Sequence, residues 1–429
     1  RQRSGTMKPV GVGILGWGTV GGGVVEGLLR RGDRLAERAG VRPVLRRIAD
    51  LDLERSRDVA PDRSMLTTDA AAVVDDPAVE VVVELIGGTT AARELVLRAL
   101  RLGKPVVTAN KALLARHGVE LFAEARAHRA TLHFEASVGG GIPLIRALQH
   151  GLIANEIRSI YGILNGTSNY ILTRMESEGL SFDRALRKAQ QAGYAEADPT
   201  LDIDGHDTAH KIAILATLAF GFAAPIESIP VQGIRAVTPQ DISFARDLGY
   251  RIKLLAFARP HRAGVEIGVH PALVPRGHLL ASVGGVFNAV AIDGDLTGET
   301  LYYGRGAGRE ATASAVLSDI VEAAHRRASE DPWMAPCFAQ SAGGFRWLAP
   351  DDVVGRSYLR MTLKDRPGIL SRVAHVLGEC GISIASVLQR ETAAGRCVPV
   401  TVITHEAPGR CHAKAVAEID RLDCVGAPT

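Results

Sequence analysis

At 429 residues the chain is longer than one ordinary domain, and about two or three are expected. Apolar residues make up 46% and charged residues 23%, a globular composition, and a formal net charge of +3 with no basic run interleaved with aromatics argues against a nucleic-acid partner. No apolar stretch reaches the ~20 residues that span a bilayer, and the nearest, residues 212–226, is broken by Gly221 and Pro225, which argues against a membrane partner.

Residues 1–9 lack the apolar core of a signal peptide, and Met7 is the expected natural start. The first third alternates β-branched runs with helical patterns, which predicts an α/β fold with a parallel sheet. Strands are expected at 10–15, 44–49, 79–85, 105–108 and 131–136, and helices at 20–31, 91–102 and 111–129. The run at 79–85 is nearly all apolar, as a strand buried on both faces requires. From Gly139 the pattern changes. A helix from Pro143 to Leu152 precedes strands at 157–164, 252–259, 265–271 and 286–293, then a helix at 311–327. This reads as an α+β domain with an open sheet, antiparallel or mixed. Residues 331–355, with three prolines, read as a linker. Strand 358–363, helix 369–379, strands 382–390 and 397–404, helix 410–422 and a short closing strand make a ferredoxin-like β-α-β-β-α-β module. The domain boundaries expected are therefore 1–140, 141–330, linker 331–355, and 356–429. The five cysteines, Cys337, Cys380, Cys397, Cys411 and Cys424, are odd in number and form no CxxC. That argues against a disulfide framework or zinc site and fits a reducing cytoplasm.

Several motifs carry chemistry. Gly16-Trp17-Gly18-Thr19-Val20-Gly21 follows the first strand and opens a helix, the context in which GxGxxG cradles a dinucleotide pyrophosphate. Asp50, at the end of the second strand, suits a ribose 2′-OH and repels a 2′-phosphate, which favours NAD; Arg55 and Arg57 lie just beyond and suit the phosphate of NADP. Thr108-Ala109-Asn110-Lys111 sits at the carboxyl edge of the sheet, where Lys111 can meet substrate or nicotinamide. Glu135 and the glycine-rich stretch that follows it could offer oxygens to a monovalent cation, and taken alone read as a domain hinge. Residues 162–170 and 304–308 suit either plain turns or ligand-facing loops.

Residues 193–211 are the most informative stretch. They pack Glu196, Asp198, Asp202, Asp204 and Asp207 into one loop and then enter an apolar helix at Lys211. A Ca²⁺ loop with Gly205 sixth would have Thr200 first and Lys211 twelfth, so that reading fails. Asp207 and Lys211 share a helix face. A lysine entering a buried helix needs a partner, and the pair could bind a small zwitterion and move a proton.

Together these motifs resemble homoserine dehydrogenase over the whole length, with Glu84-Leu85-Ile86-Gly87-Gly88 adding to the match; the tail, with Asp365-Arg366-Pro367-Gly368-Ile369-Leu370, looks like an ACT domain. The resemblance implies reversible NAD(P)-dependent interconversion of L-homoserine and L-aspartate 4-semialdehyde in threonine, methionine and isoleucine biosynthesis. It implies Lys211 as acid/base, and Glu196, Asp207 and Lys111 at the substrate. It implies Gly16, Gly18, Thr19, Val20, Gly21, Asp50, Lys111, Gly193 and Gly308 at the cofactor. It replaces the hinge reading with a sodium site of Glu135 and the carbonyls of Val138, Gly140 and Ile142. It further implies a homo-oligomer, dimer or tetramer, built through the middle domain, and an amino-acid effector at the ACT-like module. Leu51 stands where many members have arginine, which leans the cofactor towards NAD. Aspartate-semialdehyde dehydrogenase, which needs a cysteine thioester, is set aside because no cysteine precedes Cys337. An amino-acid sensor with a non-catalytic dehydrogenase-like domain is the alternative from another class.

Overall fold

The structure, a computed structural model, describes residues 8–55, 59–223, 226–329, 346–389 and 397–429. Arg57, Cys337 and most of the expected linker lie outside them. The first domain runs β1 (Pro9–Leu15), α1 (Thr19–Ala39), β2 (Arg42–Ala49), β3 (Leu66–Thr67), α2 (Ala70–Asp75), β4 (Val81–Glu84), α3 (Ala91–Arg101), β5 (Val106–Thr108), α4 (Lys111–Ala127) and β6 (Leu132–His133). Its six strands are all parallel in the order β3-β2-β1-β4-β5-β6. The strand order reverses between β1 and β4, and the carboxyl ends of these strands open the crevice where such sheets take ligands. Val10, Val12, Ile14, Val81, Val82 and Val83 are fully buried, as helices on both faces demand.

The middle domain runs α5 (Leu144–Arg146), β7 (Ile157–Ile163), α6 (Gly166–Glu178), α7 (Phe182–Gln191), α8 (Thr200–Ile203), α9 (His206–Phe220), α10 (Pro239–Asp247), β8 (Tyr250–His261), β9 (Gly264–Pro275), α11 (Leu279–Ser282), β10 (Phe287–Gly294), β11 (Gly298–Arg305) and α12 (Arg309–Ser329). Its sheet is antiparallel throughout, in the order β11-β10-β7-β8-β9. Helix α12 returns to the first domain. Gly23 and Gly27 on α1 let it approach so closely that a Cβ would meet Ala313 at 2.9 Å and Leu317 at 2.4 Å. A buried ionic network pins this return. Arg146 donates to Asp319 Oδ1 at 2.8 Å and lies 3.2 Å from Glu322, while the Glu135 N–H donates to Asp319 Oδ2 at 2.8 Å. His133, Asp319 and Glu322 converge tightly enough to hold a metal, but Arg146 and Arg326 already supply the positive charge there.

The last module comprises β12 (Val354–Gly355), β13 (Tyr358–Lys364), α13 (Ile369–Glu379), β14 (Ile384–Gln389), β15 (Cys397–Thr404), β16 (Ala407–Pro408), α14 (Gly409–Ile419) and β17 (Val425–Ala427). Its four-stranded sheet, β14-β15-β13-β17, has the expected ferredoxin-like connectivity, including the short closing strand.

Differences from the sequence reading have local causes. α1 runs to Ala39 rather than to residue 31, because Ala36 packs on the core and Gly40 ends the helix in the left-handed region (φ 69°). The strand expected at 131–136 is two residues long and turns at Glu135 into a 3₁₀ turn that carries that carboxylate inward. The helix after Pro143 gives way after Arg146 to a wide π turn over residues 147–151. β11 has no counterpart among the expected strands, because as an edge strand it is only half-buried and shows no clean alternation. Part of the stretch read as linker is also structured: Trp347 bridges to Val265 on the edge of the middle sheet, and β12 pairs with β16.

Candidate active site

The glycine turn has the geometry its sequence requires. Gly16 adopts φ +98° with its Cα against Leu85, and a Cβ at Gly21 would sit 2.1 Å from the Gly16 carbonyl oxygen. A Cβ at Gly18 would meet nothing within 4 Å. Gly18 and Thr19 are exposed, and α1 begins with no side-chain cap on its first N–H groups. Open donors at a helix N-terminus beside a clear approach fit a pyrophosphate. Asp50 lies against this turn, with Oδ2 accepting the Trp17 N–H and Oδ1 the Asp52 N–H at 2.9 Å. Leu51 beside it is 92% exposed, so it brings no cation to the position where a 2′-phosphate would lie.

Glu84, at the end of β4, is wholly buried. It accepts the N–H groups of Ile86 and Gly87, both at 3.0 Å, and the Thr108 hydroxyl at 2.6 Å. Burial pushes its carboxyl up, against the opposing pull of those donors. Thr108 in turn accepts the Asn110 N–H. Asn110 caps α4 through the Leu113 N–H and donates to the Gly88 carbonyl. One buried carboxylate therefore fixes the loops after β4 and β5 together, and so sets where Lys111 starts α4. In the sequence Glu84 stands out only within the Glu84–Gly88 motif; an acid closing a strand of valines is the signal that marks it.

Lys111 and Lys211 meet at Asp207. Lys211 Nζ donates to Asp207 Oδ2 at 2.6 Å and to the Leu164 carbonyl at 2.7 Å, and Lys111 Nζ lies 3.1 Å from Asp207 Oδ1. Lys211 and Asp207 are both buried, whereas the Lys111 side chain is 40% exposed. Burial opposes the charge on Asp207, but the two ammonium groups and the Asn165 amide hold its carboxyl well below the usual range. Asp207 is thus ionised near neutral pH and has no proton to donate. An ammonium has three donors, and Lys211 spends two, which leaves one for a substrate oxygen.

The remaining loop acids sort by contact. Asn165 Nδ2 donates to Asp207 at 3.0 Å and to Asp202 at 2.7 Å, joining loop to pair, and the Ser168 hydroxyl donates to the Asp202 carbonyl. Asp198 turns the chain by accepting the Thr200 N–H and hydroxyl. Asp204 is held by Arg235. Glu196 is exposed and outside this cluster. Gly193, at φ 72°, precedes Tyr194, whose carbonyl accepts the Thr167 hydroxyl at 2.7 Å. Gly308 opens α12 at φ 118° with free space around it.

The Glu135 carboxylate does not stand open. Its two oxygens accept the Ile145 and Arg146 N–H groups, both at 2.9 Å, so it caps the chain after Pro143. The Ile142 carbonyl accepts the Leu144 N–H. The Val138 and Gly140 carbonyls accept no hydrogen bond among the described residues, and the positive φ at Gly139 and Gly140 turns this strip of backbone sharply. These two carbonyls are the oxygens this stretch leaves open to a hard cation, while both Glu135 carboxylate oxygens are already taken by backbone N–H groups.

The family pattern described as homoserine dehydrogenase matches residues 143–321, and its NAD-binding domain matches residues 16–135. A homoserine dehydrogenase of Pseudomonas aeruginosa is 44% identical over 426 residues, 98% of each chain. One from Neisseria gonorrhoeae is 42% identical over 425 residues, again 98% of each. This chain belongs to the homoserine dehydrogenase family. It is therefore an oxidoreductase with a nicotinamide-nucleotide domain, and the ACT pattern matches residues 357–409. Among solved structures, a homoserine dehydrogenase from Thiobacillus denitrificans superimposes with TM-score 0.91 at 44% identity, covering 98% of this chain and 97% of that one. A hyperthermophilic archaeal homoserine dehydrogenase in complex with NADPH superimposes with TM-score 0.60 at 28% identity, covering 73% of this chain and 97% of that one. No helix of the described residues is long and apolar enough to cross a membrane.

Proposed function

We propose that the protein interconverts L-homoserine and L-aspartate 4-semialdehyde, with Lys211 as the acid/base. The observation that carries this reading is the buried Lys211 ammonium, fixed by Asp207 and the Leu164 carbonyl with one donor to spare. When bound, the nicotinamide cofactor accepts or supplies the hydride. In reduction Lys211 gives its proton to the aldehyde oxygen as negative charge builds there; in oxidation it takes the hydroxyl proton back. Asp207 keeps Lys211 aimed, and with the exposed Glu196 holds the substrate ammonium. Lys111, half in solvent, steadies substrate and nicotinamide from the first domain. A sensor without catalysis would have no need of two lysines held on one buried carboxylate.

The finer readings follow the residues. Thr19, Val20, Gly193 and Gly308 line the cofactor with the glycine turn. Asp50 beside the exposed Leu51 favours NAD over NADP. A sodium ion sits on the Val138, Gly140 and Ile142 carbonyls near Glu135 and stiffens the passage into the middle domain. Residues 1–140 bind the dinucleotide, 141–330 bind substrate and join copies into a dimer or tetramer, 331–355 link, and 356–429 bind an amino-acid effector. The site of action is the cytoplasm. A spectrophotometric assay of L-homoserine oxidation with each nucleotide tests this. Turnover with kcat/KM higher for NAD than for NADP is expected; no turnover with either would refute the activity, and a marked preference for NADP would refute the cofactor reading.

A further inference from the structure

The ACT-like module and the substrate loop hold the same short segment, residues 231–241, from opposite ends. At one end Asp241, 5% exposed, completes the capping box of α10 with Thr238. Two side chains of β13 reach into that box. Tyr358 Oη donates to Asp241 Oδ1 at 2.8 Å. Arg360 Nη1 donates to Asp241 Oδ2 at 2.5 Å and to Thr238 Oγ1 at 2.9 Å. A buried carboxylate shared between its own helix cap and a neighbouring module is a firm tie, because removing either partner strands the other.

At the other end the segment lies flush against the substrate loop. The buried Ile234 donates its N–H to the Ile203 carbonyl at 2.8 Å. Gly233 comes so near that a Cβ would stand 2.3 Å from that carbonyl oxygen and 2.5 Å from the Asp204 Cα. Arg235 closes the contact as a fork, Nε and Nη2 on the two oxygens of Asp204 and Nη2 also 3.3 Å from the Thr200 hydroxyl. Thr200 and Asp204 bracket Asp202, whose carboxylate holds Asn165, and Asn165 holds Asp207 against Lys211.

We propose that Arg235 is a positioning residue for the reaction, and that the segment from Val231 to Asp241 carries the hold of the ACT-like module into the substrate loop. A pair as exposed as Arg235 and Asp204 contributes little stability alone. Its effect is on geometry: it completes a three-point attachment whose other two points are backbone. A shift of β13 moves Asp241, the segment moves with it, and the Asp198–Asp204 strip follows. The loop at 198–204 and the cluster at Lys211 then respond to the state of a module that, among the described residues, makes no hydrogen bond or ion pair with either. This coupling rests on the activity proposed above only for its kinetic readout.

The test uses the full chain. Arg235→Ala is expected to raise KM for L-homoserine roughly three- to tenfold with kcat within about twofold, and Arg235→Lys to recover part of the loss. Arg360→Met is expected to raise the same KM by about two- to threefold, and the double variant to show less than the product of the two single effects. Circular dichroism and thermal melts check that each variant folds. If Arg235→Ala does not, Asp204→Asn removes the pair from the other side. Amide hydrogen exchange gives a readout independent of turnover: residues 198–207 should exchange faster in Arg360→Met. Unchanged KM in Arg235→Ala, fully multiplicative effects in the double variant, or unchanged exchange in Arg360→Met would overturn the coupling. Absence of homoserine turnover in the wild type would instead overturn the proposed activity, and the exchange result would still decide the coupling.

Discussion

At the scale of single residues, the site is a chain of buried charges each answered by a neighbour. Lys211→Ala should lower kcat by about 10²–10⁴-fold while nucleotide binding, read by fluorescence titration, stays near that of the wild type. Glu84 acts one step further out. Glu84→Ala leaves the Ile86 and Gly87 N–H groups and the Thr108 hydroxyl without their acceptor, so thermal or urea unfolding should show a loss of about 2–4 kcal/mol. Lys253 is a buried cation outside the site. It donates to the Val283 carbonyl at 2.6 Å, and burial brings its pKa down to about 8. The unfolded chain therefore holds more protons than the fold between about pH 8 and the ordinary lysine value near 10.5. Stability should rise across that window, and the contribution is lost as pH falls through about 8. The full difference is roughly 3 kcal/mol. Lys253→Met should abolish that rise when melting temperature is followed from pH 7 to 10; an unchanged profile would mean that Lys253 is not the group responsible.

Among elements, the decisive fits are between helices and the turns that admit them. β1 and α1 meet through Gly16 and Gly21, and the turn closes only because neither carries a side chain. Gly21→Ala should force α1 away from the Gly16 carbonyl and weaken nucleotide binding at least tenfold in an equilibrium titration, with a loss of thermal stability alongside. α4 and α9 bring their N-terminal ends together, and with them Lys111 and Lys211, from different domains onto one carboxylate. Neither helix could place its lysine alone. The start of α4 is set by Glu84 through Asn110, and the start of α9 by the left-handed Gly205 at φ 88°.

For the whole molecule, the chain returns on itself twice. α12 carries the middle domain back onto α1, and residues 346–348 run beside β9 before the ACT-like module docks on α10. A chain ended at Ser329 would expose Val265 and strand Asp241 without Tyr358 and Arg360. It should therefore melt several degrees lower than the full chain by calorimetry, while keeping its parallel-sheet domain folded. Legible in the residues alone were the parallel sheet of the first domain, the glycine turn, the ferredoxin-like tail and the placing of Asp207 and Lys211 on one helix face. Each of these is written in local periodicity, in a glycine that no other residue could replace, or in a charge leading an apolar helix. It takes the folded chain to bring Lys111 to Asp207, to set Glu135 as the cap after Pro143, to give Asp198, Asp202 and Asp204 separate partners, and to make β11 a strand. Those facts depend on which distant segments lie side by side: Asn165 with Asp202, Arg235 with Asp204, Arg146 with Asp319. Spacing along the chain carries no record of such pairings, because a half-exposed edge strand or a charge paired across domains has no period of its own.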